Sequence, residues 1–202
     1  MKKIEVVVFD LGNVLLPFDY SPAVKRMNDA QQGAGDKVQK YLKENYHFFR
    51  EFEAGKIQPE EYLDKIFSDN ELTFHKEDFC RYYSEIFTEN TPLTSLLPEI
   101  KRRFQLVLLS NTNEIHKKYG WEKYGFISNF EKLILSHEVK AVKPEPAIYQ
   151  AVMDYTKKAP ESHIFIDDIF DYTMGAKAMG WDAIHCTDNQ VVINGLHLRG
   201  II

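Results

Sequence analysis

Short, almost unbroken apolar runs punctuate this chain. Residues 4–9, IEVVVF, form the first, and it is rich in β-branched side chains. Such a run fits a strand buried on both faces of a parallel sheet. Comparable runs recur at 105–109 (QLVLL), 132–135 (KLIL), 163–166 (HIFI) and 183–186 (AIHC). Between the later runs the apolar positions change to helical spacing, over 94–103, 113–124, 145–157 and 172–179, and Gly180 stands ready to end the last helix. Strand alternating with helix predicts an α/β fold with a doubly wound parallel sheet. Residues 18–92 break the rhythm. They hold no convincing strand, and helical patterns fit 21–30, 36–53, 59–68 and 75–88, the third opened by Pro59. The expected organisation is a core of residues 1–17 and 93–202, with a helical cap of residues 18–92 inserted after the first strand.

A chain of 202 residues is long enough for one domain carrying such an insertion. Its hydrophobic share of 44% and charged share of 27% exclude a disordered chain, a collagen-like fibre and a disulfide-stapled miniature. With 25 Lys+Arg against 30 Asp+Glu the net charge is −5, so nothing draws the whole molecule to nucleic acid or to an anionic membrane. No run approaches the roughly 18 apolar residues of a membrane span. The first apolar run is too short for a signal peptide. The two cysteines, Cys80 and Cys186, lie far apart and favour a reducing compartment. A cytoplasmic protein with a small-molecule partner, and no nucleic-acid or membrane partner, is expected.

Ligands of open parallel sheets gather beyond the carboxyl ends of the strands. Four such ends here carry polar residues: Asp10-Leu11-Gly12-Asn13, Ser110-Asn111-Thr112, Asp167-Asp168 and, in the loop after the third strand, Lys143-Pro144. Each alone has an ordinary reading, as a helix cap or a solvated turn. Together they suit one task. A carboxylate such as Asp10 can attack phosphorus and divide a hard displacement into two easier ones. A hard divalent cation, held by Asp10 and an aspartate of the 167–168 pair, relieves its repulsion from an anionic substrate. Lys143 supplies fixed positive charge, while Ser110 and the backbone N–H of Asn111 bind phosphoryl oxygens.

These segments resemble the motifs of the haloacid dehalogenase superfamily. They stand in order over residues 4–180 as Phe9-Asp10-Leu11-Gly12-Asn13-Val14-Leu15, Leu109-Ser110-Asn111-Thr112, Val142-Lys143-Pro144 and Ile166-Asp167-Asp168, followed by Gly175-Ala176 and Gly180. The variants DLGNVL and LLSNTN, with Glu53-Ala54-Gly55-Lys56-Ile57 in the insert, are most similar to bacterial α-D-glucose-1-phosphate phosphatases and to the phosphatase domain of soluble epoxide hydrolases. The resemblance implies a Rossmann-like core and a magnesium-dependent phosphatase acting on a small phosphate monoester, such as the sugar phosphate glucose-1-phosphate, through an aspartyl-phosphate. It implies Asp10 as nucleophile and magnesium ligand. The carbonyl of Gly12 and the side chain of Asp168 are the other metal ligands, with Asp167 beside them. Ser110, Asn111 and Lys143 hold the phosphoryl group, Lys143 with a catalytic part as well. Two other activities share the fold: a 2-haloacid dehalogenase, in which the same Asp attacks carbon without metal, and a non-catalytic binding module.

Two departures from the family pattern matter. Most phosphatases of the superfamily carry a second Asp, an acid and base, two residues after the nucleophile, where this chain has Gly12. Asp19 is the first candidate to replace it, with Glu53 and His47 in the cap as others, although each singly has an ordinary reading as a capping or solvated residue. Gly12→Asp is then expected to favour esters of poor leaving groups. The second departure lies around Asp171, where Ile169, Phe170 and Tyr172 stand in place of the usual Asn. In the cap, Phe48, Phe49 and Phe52 are expected to be packing residues and Arg50 an exposed one. Trp121 and Trp181 are also expected to pack.

Overall fold

The computed structural model describes residues 3–202. Strands β1 (Val6–Phe9), β2 (Gln105–Ser110), β3 (Lys132–Leu135), β4 (His163–Asp167) and β5 (Asp182–His185) form one sheet, ordered β3-β2-β1-β4-β5 and parallel throughout. The chain winds outward from β1 through β2 and β3, then crosses to the far side of β1 for β4 and β5. The carboxyl ends of β1, β2 and β4 therefore meet where the winding reverses.

Alternation along each strand explains the continuous apolar runs, since successive side chains enter opposite faces. Val7, Phe9, Leu106, Leu108, Ile164 and Ile166 belong to one buried cluster, and Val6, Val8, Val107, Leu109 and Phe165 to another. Val192 and Leu196 of helix Asn189–Leu198 cover the first face, with Leu97 and Ile100 of Leu97–Lys101. Ile148, Tyr149 and Val152 of Pro146–Thr156 cover the second, with Ala176 of Phe170–Ala178. Each Val, Leu, Ile or Phe among them, once wholly buried, stabilises the fold by about 1.5–3 kcal/mol. The doubly wound α/β core is as expected. Gly180 follows the last of the expected helices at φ +89°, a conformation that favours glycine.

Between β1 and Thr91 lie five helices: α1 (Ser21–Ala30), α2 (Ala34–Glu44), α3 (Tyr46–Glu53), α4 (Pro59–Asn70) and α5 (Lys76–Ser84). Their apolar faces converge on a separate cluster that includes Met27, Val38, Phe52, Tyr62, Ile66 and Phe79, with Ile115 joining from the segment after β2. Phe52 and Tyr62 stack with ring centroids 4.0 Å apart. Phe52 is core, and Phe48 and Phe49 are half-buried against the same cluster.

Several helical expectations are corrected. The stretch 36–53 is two helices, not one. It breaks at Asn45 (φ −110°, ψ 40°), where the backbone N–H and the side-chain amide both donate to Tyr41 O. The stretch 94–103 divides between Thr91–Thr94 and Leu97–Lys101, with a proline in the first turn of each. Residues 113–124 give only Glu114–His116 and a π-turn over Lys117–Trp121. Helix Asn189–Leu198, capped by Asp188 Oδ1 accepting from Val191 N–H, had no counterpart in the sequence reading. Among the described residues, no helix is long and apolar enough to cross a membrane.

Candidate active site

Strand β1 delivers Asp10 at its carboxyl end, where the Asp10 N–H donates to Ile166 O. Strand β4 delivers Asp167 and Asp168 alongside. Each of these three acids offers a carboxylate oxygen, and the three oxygens lie within 4.8 Å of one another. From the loop after β3, Lys143 is 1% exposed and places Nζ 2.6 Å from both Asp10 Oδ1 and Asp167 Oδ2. Asn111, just past β2, fixes that loop from both sides: its Oδ1 accepts from Lys143 N–H (2.8 Å) and its Nδ2 donates to Lys143 O (3.2 Å). Ser110 is buried at the end of β2 and lines the same cavity. The expected cluster of Asp10, Ser110, Asn111, Lys143 and Asp168 is thus brought together, and Gly12 joins it at the cavity wall.

Three carboxyls face one ammonium here, Asp10 and Asp167 buried and Asp168 partly so. Burial pushes the Asp10 carboxyl above its ordinary range against the pull of Lys143, and Asp167 and Asp168 push the same way. Asp168 is raised too, by partial burial and by Asp167. Burial disfavours the Lys143 ammonium, but the carboxylates of Asp10 and Asp167 outweigh it and hold the pKa above the usual lysine range. Both oxygens of Asp167 are engaged, Oδ2 by Lys143 and Oδ1 by Ile169 N–H at 2.7 Å. Asp10 is engaged through Oδ1 and Asp168, by Asn13 Nδ2, through Oδ2 (3.2 Å), so each keeps its other oxygen clear of protein partners among the described residues. Hard oxygen donors carrying surplus negative charge fit a hard divalent cation.

The cavity above these groups measures about 280 Å³, and Tyr46, Phe49, Arg50 and Glu53 of α3 form part of its wall. Arg50 is not the exposed arginine expected. Its side chain is 20% exposed, with Nη1 2.9 Å from Glu53 Oε2 and Nη2 donating to Lys143 O at 3.1 Å. Glu53 is buried and lines the cavity; burial raises its pKa, with Arg50 and Lys143 opposing. Asp19 does not fill the place expected for it. It is exposed, outside the cavity lining, and its Oδ1 accepts from Ser21 N–H and Oγ, which lowers its pKa, the wrong direction for an acid. His47 is likewise outside, with an 87% exposed side chain beside Glu51.

Sequence reasoning missed His116 and Tyr172, which also line the cavity. His116 sits 4.4 Å, ring to ring, from Tyr83, and its Nε2 is buried without a protein partner. Tyr172 OH accepts from Asn111 Nδ2 at 3.3 Å. His116 belongs to no strand end, so its position along the chain gave no signal; Tyr172 stands just past β4 and was marked only as a departure from the family pattern. Trp121 packs as expected, fully buried with Nε1 donating to Thr112 Oγ1, and it also reaches the cavity wall. Trp181 stacks on His163 well away from it.

The model of the haloacid dehalogenase-like hydrolases matches residues 4–180. A D-ribitol-5-phosphate phosphatase of Bacteroides thetaiotaomicron is 25% identical over 176 residues, 82% of this chain and 83% of that protein. A phosphorylated carbohydrates phosphatase of Thermotoga maritima is 24% identical, over 90% of this chain and 84% of that protein. Among solved structures, a HAD family enzyme of Bacteroides thetaiotaomicron in complex with magnesium and inorganic phosphate superposes with a TM-score of 0.78. It is 27% identical, over 89% of this chain and 92% of that one.

Proposed function

The chain belongs to the haloacid dehalogenase-like hydrolase family, and we propose that within it the protein is a magnesium-dependent phosphatase for small phosphate monoesters. Sugar phosphates, glucose-1-phosphate among them, are the substrates to try first. The observation that carries this reading is the set of buried Asp10, Asp167 and Lys143 with half-buried Asp168 at the sheet's winding reversal, where free carboxylate oxygens and a fixed ammonium face one cavity. The named activities of the two relatives support the same class. In this reading residues 18–92 act as a cap over a core of 1–17 and 93–202. The two buried free cysteines, Cys80 and Cys186, fit a cytoplasmic setting.

Asp10 attacks the phosphorus of the bound ester, its oxygen forming a P–O bond as the bond to the leaving oxygen breaks. Lys143 holds Asp10 in line and keeps positive charge beside the phosphoryl oxygens, where charge shifts in the transition state. Ser110 Oγ and the backbone N–H of Asn111 bind those oxygens. Asn111 acts a second time through its side chain, which fixes the Lys143 backbone. Asp10, the carbonyl of Gly12 and Asp168 would hold magnesium, while Asp167, tied to Lys143 and to Ile169 N–H, orients the set. When bound, the ion neutralises the carboxylates and polarises the phosphoryl group. Water then attacks the phosphoryl-Asp10, and the P–O bond to Asp10 breaks to release phosphate.

The test is phosphate release from a panel of esters by purified protein, with and without magnesium, against Asp10→Asn. Metal-dependent release that Asp10→Asn lowers by roughly 10³-fold or more, with its circular dichroism unchanged, is expected. Halide release from 2-chloropropionate in its place would assign the dehalogenase reaction, and neither release would leave a binding module.

A further inference from the structure

We propose that Glu53, reaching in from the cap, is the acid that protonates the leaving oxygen, in the role that position 12 cannot fill here. This rests on the phosphatase reading above.

Position 12, the usual source, carries no side chain here. A Cβ added at Gly12 would lie 3.2 Å from Cε1 of Phe18, so a side chain at 12 enters only if that half-exposed ring gives by a few tenths of an ångström. Three acids line the cavity: Asp10, Asp168 and Glu53. Attack and metal binding employ the first two, which leaves Glu53, lining the same cavity from α3. Only Oε2 of Glu53 is engaged, by Arg50 at 2.9 Å; Oε1 has no protein hydrogen-bond partner among the described residues.

The carboxyl is also held in place. Ser136 Oγ, in the core, lies 2.6 Å from Glu53 O and also accepts from Thr112 N–H at 2.9 Å, past the end of β2. Two residues on, Gly55 takes φ +64° and presses against the core so closely that a Cβ there would lie 2.2 Å from His137 O. Arg50, the partner of Glu53, donates to Lys143 O. Three contacts thus pin the end of α3 over the site, which is what a positioned proton donor needs.

The charged and titratable groups around Glu53 are Arg50 on its own helix, Lys143 from the core, and Tyr20, Tyr62 and Tyr83 from the rest of the cap. The burial that raises Glu53 favours the protonated form the step requires. As Asp10 forms its bond to phosphorus, the proton passes from Glu53 Oε1 to the departing oxygen, which leaves as an alcohol. The carboxylate so formed takes a proton from the water that attacks phosphoryl-Asp10, and Glu53 is restored.

The test is a series of substituted phenyl phosphates, alike in shape but graded in leaving-group pKa, with magnesium, on wild type and Glu53→Gln. Glutamine keeps an acceptor for Arg50 but cannot give up a proton. The wild type should show a shallow dependence of kcat/KM on leaving-group pKa. In Glu53→Gln the dependence should steepen, with a loss at the high-pKa end of about 10²-fold or more and a much smaller one at the low-pKa end. Parallel dependences in the two proteins would overturn the proposal, and so would a steep one in the wild type, which needs no variant to be seen. Absence of any magnesium-dependent turnover in the wild type would instead strike the phosphatase reading itself.

Discussion

Lys143 Nζ stands 2.6 Å from Asp10 Oδ1, and both groups are buried. An ammonium in that position does two things. It makes the buried carboxyls tolerable to the fold, and it presents one of them to a substrate in a fixed direction. Stability and reactivity therefore share a single contact.

Lys143→Met separates the two. Removing one partner of a buried ion pair costs about 3–5 kcal/mol, and here Asp10 and Asp167 both lose theirs. The urea midpoint is expected to fall accordingly. Burial and the neighbouring carboxylates already raise Asp10, and Lys143 is what holds it down. A carboxyl raised in the folded state contributes stability that is lost as pH rises, so the variant's deficit should narrow as pH falls. An unchanged midpoint would mean that water, not Lys143, stabilises the carboxylates.

His116 sets a different pH dependence. Burial pushes its imidazole down to about 3 from 6.5. The unfolded chain therefore takes up a proton that the folded chain refuses. Stability from this group is intact above pH 6.5 and lost as pH falls toward 3, by at most about 1.4 kcal/mol per pH unit. Nε2 has no partner, so His116→Phe sacrifices no hydrogen bond there and keeps a ring against Tyr83 and Phe87. Urea midpoints from about pH 7 to about pH 4 should fall less steeply in the variant. Equal slopes would show that His116 does not govern the acid limb.

Gly55→Ala should disturb the cap where it meets the core. The added Cβ would overlap His137 O, and φ +64° strains any residue with a side chain. A cost of about 1–3 kcal/mol is expected, read as a lower melting temperature. Because the same turn carries Glu53, turnover of phenyl phosphate should fall as well, with kcat moved more than KM. A variant as stable and active as wild type would mean that the turn relaxes freely.

Gly12→Asp bears on Phe18. From sequence alone the substitution is expected to favour poor leaving groups directly, but the 3.2 Å approach of Phe18 Cε1 to the new Cβ changes that expectation. The single variant should gain little on alkyl esters, and Gly12→Asp combined with Phe18→Ala should gain more than the two changes added separately. Strict additivity in kcat/KM would indicate that the ring moves aside without cost.

The core was legible because its strands are buried on both faces. Such runs carry no competing polar pattern, and the residues that end them, Asp10, Ser110 and Asp167, announce the site by breaking an apolar run. The cap wrote less of itself into the chain. Its helix boundary at Asn45, where a side-chain amide joins the backbone N–H on Tyr41 O, is a local arrangement that periodicity does not register. Arg50 looked like any exposed helical arginine because its partners, Glu53 aside, come from a loop 93 residues away. His116 ends a one-turn helix just before the π-turn, where the apolar spacing resembled one ordinary helix, and it packs against Tyr83 and Phe87 at the cavity wall. Asp19 failed as a candidate for the converse reason: its nearest donors are its own neighbours in sequence.

Strand β1 has two strands on either side of it, and all four of its residues are fully buried. Either edge of the sheet, β3 or β5, can open locally without exposing a hydrogen bond of β1. Amide protons of Val6 to Phe9 should therefore exchange with deuterated solvent only through events near the global unfolding free energy, while those of the edge strands exchange sooner. Asp10 rides on the slowest-exchanging segment of the molecule, so thermal fraying at the margins leaves its aim undisturbed.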